Sequence, residues 1–224
     1  LEENYIKIIS LKTATLFSSP DHEWRPRFHS ARVYSFLSDP HGTLKSNLLV
    51  LGIKEFHELP SRPVKPPHFM EQIFLAAGLP WEPGILKTNH LNHFRKGPGT
   101  HFWIHPGSGS PEKNCPPRKF RQIFDATSCK LPVIASFGEA DLDLIPPFRE
   151  AFADLNLTIL KLPSLAGLAN EIGRKAARFI GNDSGPAHLA AAMGIPTLAV
   201  YRTTDPQVWQ PTGSCVETLG PLIP

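Results

Sequence analysis

The sequence predicts an α/β fold built on a parallel sheet, and three observations carry that expectation. From Thr100 onward, apolar runs of strand length alternate with stretches of helical spacing, the pattern of a sheet covered by helices on both faces. Residues 179–201 read as a strand, a sharp polar turn, a short helix and a second strand. The punctuation within that segment agrees with it. Pro186 suits a first helical turn, Gly194 stops the helix, and Pro196 keeps the chain from resuming it.

Taken in order, the first 96 residues are the less regular part. Residues 5–11 and 31–37, rich in Ile, Val, Tyr and Phe, read as strands, with a polar loop over 18–29 between them. Asp39 and His41 follow the second of these and read as a turn. Residues 42–52 hold a short helix and a turn, and 68–78 a helix ended by Gly78 with Pro80 beyond it. Residues 81–99 contain Pro, Gly and Asn without a period and read as an interdomain linker. Beyond them, 101–105, 131–137, 157–161 and 178–181 read as strands, and 118–129, 147–155 and 164–176 as helices. The expected division is therefore a partial N-terminal domain with its linker over 1–96, and a C-terminal domain over 97–224.

A chain of 224 residues suffices for one large α/β domain or two small ones. With 23 Lys and Arg against 20 Asp and Glu, scattered along the chain, no nucleic-acid partner is expected. Cys115, Cys129 and Cys215 form no CxxC pair and are odd in number, which favours a reduced, cytoplasmic setting over a disulfide framework. The longest apolar run, 189–200, is broken by Gly194 and Pro196 and falls short of the ~20 residues of a membrane helix. No basic, then apolar, signal-peptide pattern opens the chain. Its start at Leu1 and its end just after an apparent strand suggest a fragment, with the N-terminal domain incomplete.

A helix N-terminus standing just past a strand's carboxyl end offers free N–H groups and a positive dipole end, a seat for phosphate. Asp183, Ser184, Gly185 and His188 mark such a place. In a parallel sheet, the Gly/Ser loop 107–110 with Lys113 and the turn 138–141 fall at the same edge. A phosphorylated small molecule, a nucleotide above all, is the ligand this pattern suits. Plainer readings stand beside it. Asp183 and Ser184 could form an ordinary cap, and Lys113 could be a solvated loop lysine. His188 could be a packed helix histidine, Glu139 and Asp141 the acidic start of the next helix, and His105 a support for the loop. The loop 107–110 is no Walker A, since no Gly-Lys-Ser/Thr follows, and Ser184 is not set in G-x-S-x-G. No Cys/His cluster has zinc spacing, and no metal is expected.

The residues Ile104-His105-Pro106-Gly107-Ser108-Gly109-Ser110 through Lys113-Asn114-Cys115-Pro116, with Asn182-Asp183-Ser184-Gly185-Pro186-Ala187-His188-Leu189-Ala190-Ala191, resemble the ADP-heptose:lipopolysaccharide heptosyltransferase family. The resemblance covers about 100–210 well and 38–80 only loosely. It implies an inverting glycosyltransferase of the GT-B type, two Rossmann-like domains with parallel sheets, acting at the cytoplasmic face of the inner membrane. It further implies a C-terminal domain that holds a nucleotide diphosphate sugar, ADP-linked, and a lipid-linked or core oligosaccharide as acceptor. Lys113, Ser184, Gly185 and His188 would then meet the donor diphosphate, with Ser108, Gly109 and Asp183 shaping the donor site. Glu139 and Asp141 would lie near the ribose. No cofactor is implied, because the nucleotide sugar is a substrate and a helix N-terminus with one Lys can neutralise the leaving diphosphate. Two departures stand out. Cys115 occupies a position where the family carries an aromatic residue, and the family's opening strand with its Gly-Asp turn, the source of the presumed base, does not occur here. The catalytic residues are therefore unassigned. The alternatives are a nucleotide-sugar-binding module without transfer activity and a nucleotide-sugar epimerase of GT-B type.

Overall fold

The structure, a computed structural model, describes residues 16, 24–162 and 164–221. They fall into two compact units, Leu1–Pro63 with Met70–Trp81, and Val64–Phe69 with Glu82–Pro224.

In the first unit, a helical turn α1 (Arg25–Phe28) precedes strand β1 (Arg32–Ser35), helix α2 (Thr43–Val50) and strand β2 (Glu55–Glu58). The two strands pair in parallel, Arg32 beside Glu55 and Tyr34 beside His57. Leu44 and Leu48 of α2 pack with Leu16, Phe28, Leu51 and Ile53 to form the core of this unit. Gly42, at φ 66°, turns the chain into α2. Asp39 caps that helix, accepting from Leu44 N–H (3.1 Å) and Lys45 N–H (2.9 Å). Helix α3 (Phe69–Ala76) ends in the left-handed Gly78, as the sequence predicts. The short strand β2 and the turn α1 went unread, both too brief for a periodic signal. The strand expected over 5–11 lies outside the described residues.

The second unit holds a six-stranded parallel sheet in the order β5-β4-β3-β6-β7-β8. Its strands are β3 (His101–His105), β4 (Val133–Phe137), β5 (Leu157–Lys161), β6 (Ala176–Asn182), β7 (Thr197–Val200) and β8 (Val216–Leu219). The connecting helices are α4 (Pro117–Ala126), α5 (Ile145–Ala151), α6 (Leu165–Lys175), α7 (Gly185–Ala192) and the short α8 (Pro206–Trp209). Side chains alternate across the sheet. Phe102, Ile104 and Ile180 join Phe120, Phe124, Phe148 and Phe152 of the α4–α5 side. Trp103, Phe179 and Tyr201 face the other way, onto Leu168, Ile172, Ala187 and Ala190 of α6 and α7. Small residues let α7 lie close on the sheet.

Of residues 81–99, read as a linker, 82–99 belong to this second unit. Leu91 N–H bonds Ala192 O (2.8 Å), Lys96 N–H bonds Gly173 O (2.8 Å), and Arg95 Nη1 reaches Gly194 O (2.5 Å). A Cβ on Gly173 would strike Phe94 O, so the glycine permits that close approach. Two 3-10 turns, Pro83–Lys87 and Asn92–Phe94, replace any longer period.

The chain order reverses between β3 and β6: β4 and β5 lie to one side, β7 and β8 to the other. This switch point opens a crevice at the carboxyl ends of β3 and β6, where open α/β sheets take their ligands. The loops that leave those two strands carry Lys113 and Asp183.

Candidate functional site

The crevice is organised around one carboxylate. Asp183 follows β6 directly and is 4% exposed. Its Oδ2 accepts from Lys113 Nζ at 2.8 Å and from Thr204 Oγ1 at 2.6 Å, and its Oδ1 lies 3.8 Å from His188 Nε2. Burial alone would raise this carboxyl's pKa, but the nearby His188 ring and the bonds from Lys113 and Thr204 outweigh it and hold the group at about 2. Asp183 is thus an anion that gathers two basic side chains at the start of α7.

Ser184 stands at the N-cap of α7, with Pro186 in the first turn. The expectation of a capping hydroxyl fails here. The Ser184 side chain makes no cap bond, and its Oγ is buried without a hydrogen-bond partner. A buried hydroxyl without a partner loses its hydration for nothing in return, so this atom is placed for something other than the helix. Gly185 and Gly109 have open space where a Cβ would stand. Neither glycine is required by the protein's own packing.

The loop between β3 and α4 brings in the remaining residues. Ser108 Oγ bonds Ser110 O (2.6 Å) and Asn114 Oδ1 (2.8 Å), which makes it a brace within the loop. Asn182, the last residue of β6, accepts from Cys115 N–H at 2.9 Å. Cys115 is buried, and burial pushes its thiol up to about 11, so it stays protonated.

Glu139 and Asp141 sit on the 3-10 turn that follows β4. Asp141 Oδ2 accepts from Gly138 N–H at 3.3 Å, so this acid does serve the start of the turn. Both acids also line a cavity of about 300 Å3, with His105, Ser136, Ser164 and Pro186. Pro186 belongs to α7, which places this cavity beside the Asp183 cluster. His105 is fixed by Ser136, Nδ1 to Oγ at 2.9 Å, while Trp103 Nε1 donates to the same oxygen at 2.9 Å. Burial lowers the His105 pKa to about 4, so the ring is neutral, in keeping with a supporting role. Desolvation raises Asp141, against the backbone bonds that lower it. A groove of about 610 Å3 also runs along Pro117, Arg118, Arg121, Gln122, Pro147 and Glu150, and none of the nine expected residues lines it.

All nine expected residues thus lie at the carboxyl edge of the sheet, in two adjoining groups: 108–113 with 183–188, and 139–141 beside the cavity. Thr204 and Arg202, from the segment after β7, were missed. The signal was available, because any residue just past β7 must lie next to Asp183 once β6 and β7 pair in parallel.

Residues 100–220, more than half of the chain, match the model of glycosyltransferase family 9 (heptosyltransferase). No curated protein matches the sequence. Among solved structures, the fold is similar to a family 9 glycosyl transferase from Veillonella parvula (TM-score 0.61, 16% identity, covering 88% of this chain and 65% of that one). It is also similar to the E. coli heptosyltransferase WaaC with ADP (TM-score 0.61, 14% identity, 93% and 72%). A third is the E. coli ADP-heptose lps heptosyltransferase II (TM-score 0.55, 18% identity, 88% and 70%). The chain therefore spans about two thirds of the length of the Veillonella protein. With its parallel sheets, the fold is α/β of the GT-B type. No described helix is long and apolar enough to cross a membrane. By its sequence from Thr100 to Gly220, the chain belongs to glycosyltransferase family 9 (heptosyltransferase).

Proposed function

We propose that the crevice between β3 and β6 binds a nucleoside diphosphate sugar, ADP-heptose by the family's example, and that the chain is the donor-holding part of an inverting glycosyltransferase. The observation that carries this reading is the buried, unpartnered Ser184 Oγ at the N-terminus of α7, with Lys113 and His188 drawn up beside it on Asp183. A diphosphate at that helix end would meet N–H groups, a hydroxyl and an ammonium together. Lys113 would leave one oxygen of Asp183 for a more highly charged partner, and Thr204 would keep Asp183 in place. The nucleoside would fill the cavity of about 300 Å3, with its ribose hydroxyls on Glu139 and Asp141. That a protein of similar fold was solved with ADP, and another time with ADP-2-deoxy-2-fluoro heptose, supports the choice of nucleotide.

In the transfer, the bond from the sugar's anomeric carbon to the diphosphate breaks as an acceptor hydroxyl attacks from the opposite face and loses its proton to a general base, a role no residue named here fills. Lys113 and the dipole of α7 stabilise the departing diphosphate, whose charge grows as that bond lengthens. The acceptor would be a lipid-linked or core oligosaccharide, such as a lipopolysaccharide core, met at the cytoplasmic face of the inner membrane. The test is calorimetric titration with ADP, UDP and GDP. Saturable binding with ADP preferred supports the reading. A preference for UDP removes the heptose assignment, and no binding by the folded chain overturns the donor site.

A further inference from the structure

The loop that presents Lys113 has little regular structure beyond the Ser108 brace. Residues 106–116 include Pro106, Pro111 and Pro116, and their one regular piece is the turn Pro111–Lys113, closed by Lys113 N–H to Ser110 O at 3.0 Å. Its position is set from outside. Asn182 is fully buried and holds both ends of the loop with one side chain. Its Oδ1 accepts from Cys115 N–H at 2.9 Å, and its Nδ2 donates to Pro106 O at 2.7 Å. An N–H requires the amide oxygen and a carbonyl requires the amide nitrogen, so the network fixes the orientation of this amide. Asn182 Nδ2 also lies 3.4 Å from Asn114 Oδ1, which the Ser108 hydroxyl already serves.

A second hold comes from the segment after β7. Arg202 Nη1 donates to Asn114 O at 2.7 Å, one residue from Lys113. Two residues further on, Thr204 bonds the same oxygen of Asp183 that receives Lys113. The cation and the carboxylate are thus tied to one another through two routes, by way of β6 and by way of the segment after β7.

We propose that Asn182 and Arg202 are positioning residues for Lys113, which fix its ammonium relative to the N-terminus of α7 and so set the affinity for the diphosphate part of the ligand. Neither needs to touch the ligand. The consequence for affinity rests on the donor-site reading above; the holding of the loop does not. The geometry gives a selective signature, because no residue of 106–116 lines the cavity that would take the nucleoside; Gly107 and Ser108 reach it only through Asp141.

The experiment uses the full chain and three variants, Arg202→Ala, Arg202→Lys and Asn182→Asp, with amide hydrogen exchange and titrations of ADP and adenosine. In Arg202→Ala, exchange should accelerate across 106–116 and not in β3 or β6. ADP binding should weaken about tenfold, the worth of a charge-assisted hydrogen bond, while adenosine binding changes by less than about twofold. Arg202→Lys, which keeps a donor for Asn114 O, should recover part of the loss. Asn182→Asp keeps the acceptor for Cys115 but turns an oxygen toward Pro106 O, and its ADP loss should exceed that of Arg202→Ala. Unchanged exchange in the loop overturns the proposal. So does a parallel fall in ADP and adenosine binding, the mark of a generally disturbed site. If the unaltered chain binds no ADP, the donor reading fails, while faster loop exchange in Arg202→Ala still supports the role of Arg202 in holding Lys113.

Discussion

Lys113 Nζ and Asp183 Oδ2 stand 2.8 Å apart, joining a loop after one strand to the turn after its neighbour. The ammonium is about a third exposed and the carboxylate almost wholly buried. The pair therefore has two sides, one sunk in the protein and one facing the crevice. A buried carboxylate needs its cation, and a partly exposed cation can still take a second anion.

That geometry gives the first expectation. Lys113→Met should weaken ADP binding by about tenfold to a hundredfold, the range for a lost hydrogen bond to a charged group. Adenosine binding should stay nearly constant. Calorimetry on both ligands checks it.

Two pH windows should separate in the stability of the chain. Asp183 has a folded pKa of about 2, below its ordinary value of 3.8. Its stabilisation is complete above the unfolded value and is lost as pH falls from about 4 through 2, worth about 2 kcal/mol. His105 behaves differently, because burial lowers a base to about 4. The unfolded chain then binds the extra proton between about 6.5 and 4, so stability is lost as pH falls across that window, by about 3 kcal/mol. Denaturant midpoints for Asp183→Asn should lack the lower slope, and those for His105→Gln the upper one.

The glycines of the first loop should divide by mechanism. A Cβ on Gly107 would fall on the Asp141 carboxylate, while Gly109 has open space around it. Gly107→Ala should cost about 1–3 kcal/mol of stability through overpacking, and Gly109→Ala almost none. If Gly109 lines the donor site, its Ala variant should lose ADP affinity with an unchanged melting temperature.

How much of this was legible in the sequence depends on the kind of signal. Strand β6, its polar turn and α7 were readable because Pro186 and Gly194 punctuate them and apolar runs frame them. The role of Asn182 was not readable, since a buried amide that ties Pro106 to Cys115 depends on pairing between distant strands. Residues 82–99 escaped for a related reason. They hold to the second unit through backbone bonds such as Leu91 to Ala192, which leave no periodicity behind. For Ser184 the local signal was misleading. Its position is that of a cap, yet the hydroxyl does not cap.

Ser184→Ala tests the central claim most directly, because stability and binding should move apart. The substitution removes a buried hydroxyl that has no partner, so the melting temperature should hold or rise. If the start of α7 seats the donor diphosphate, ADP affinity should fall by about tenfold in the same sample. Unchanged ADP affinity in Ser184→Ala would contradict the account, and would leave the turn between β6 and α7 as scaffold alone.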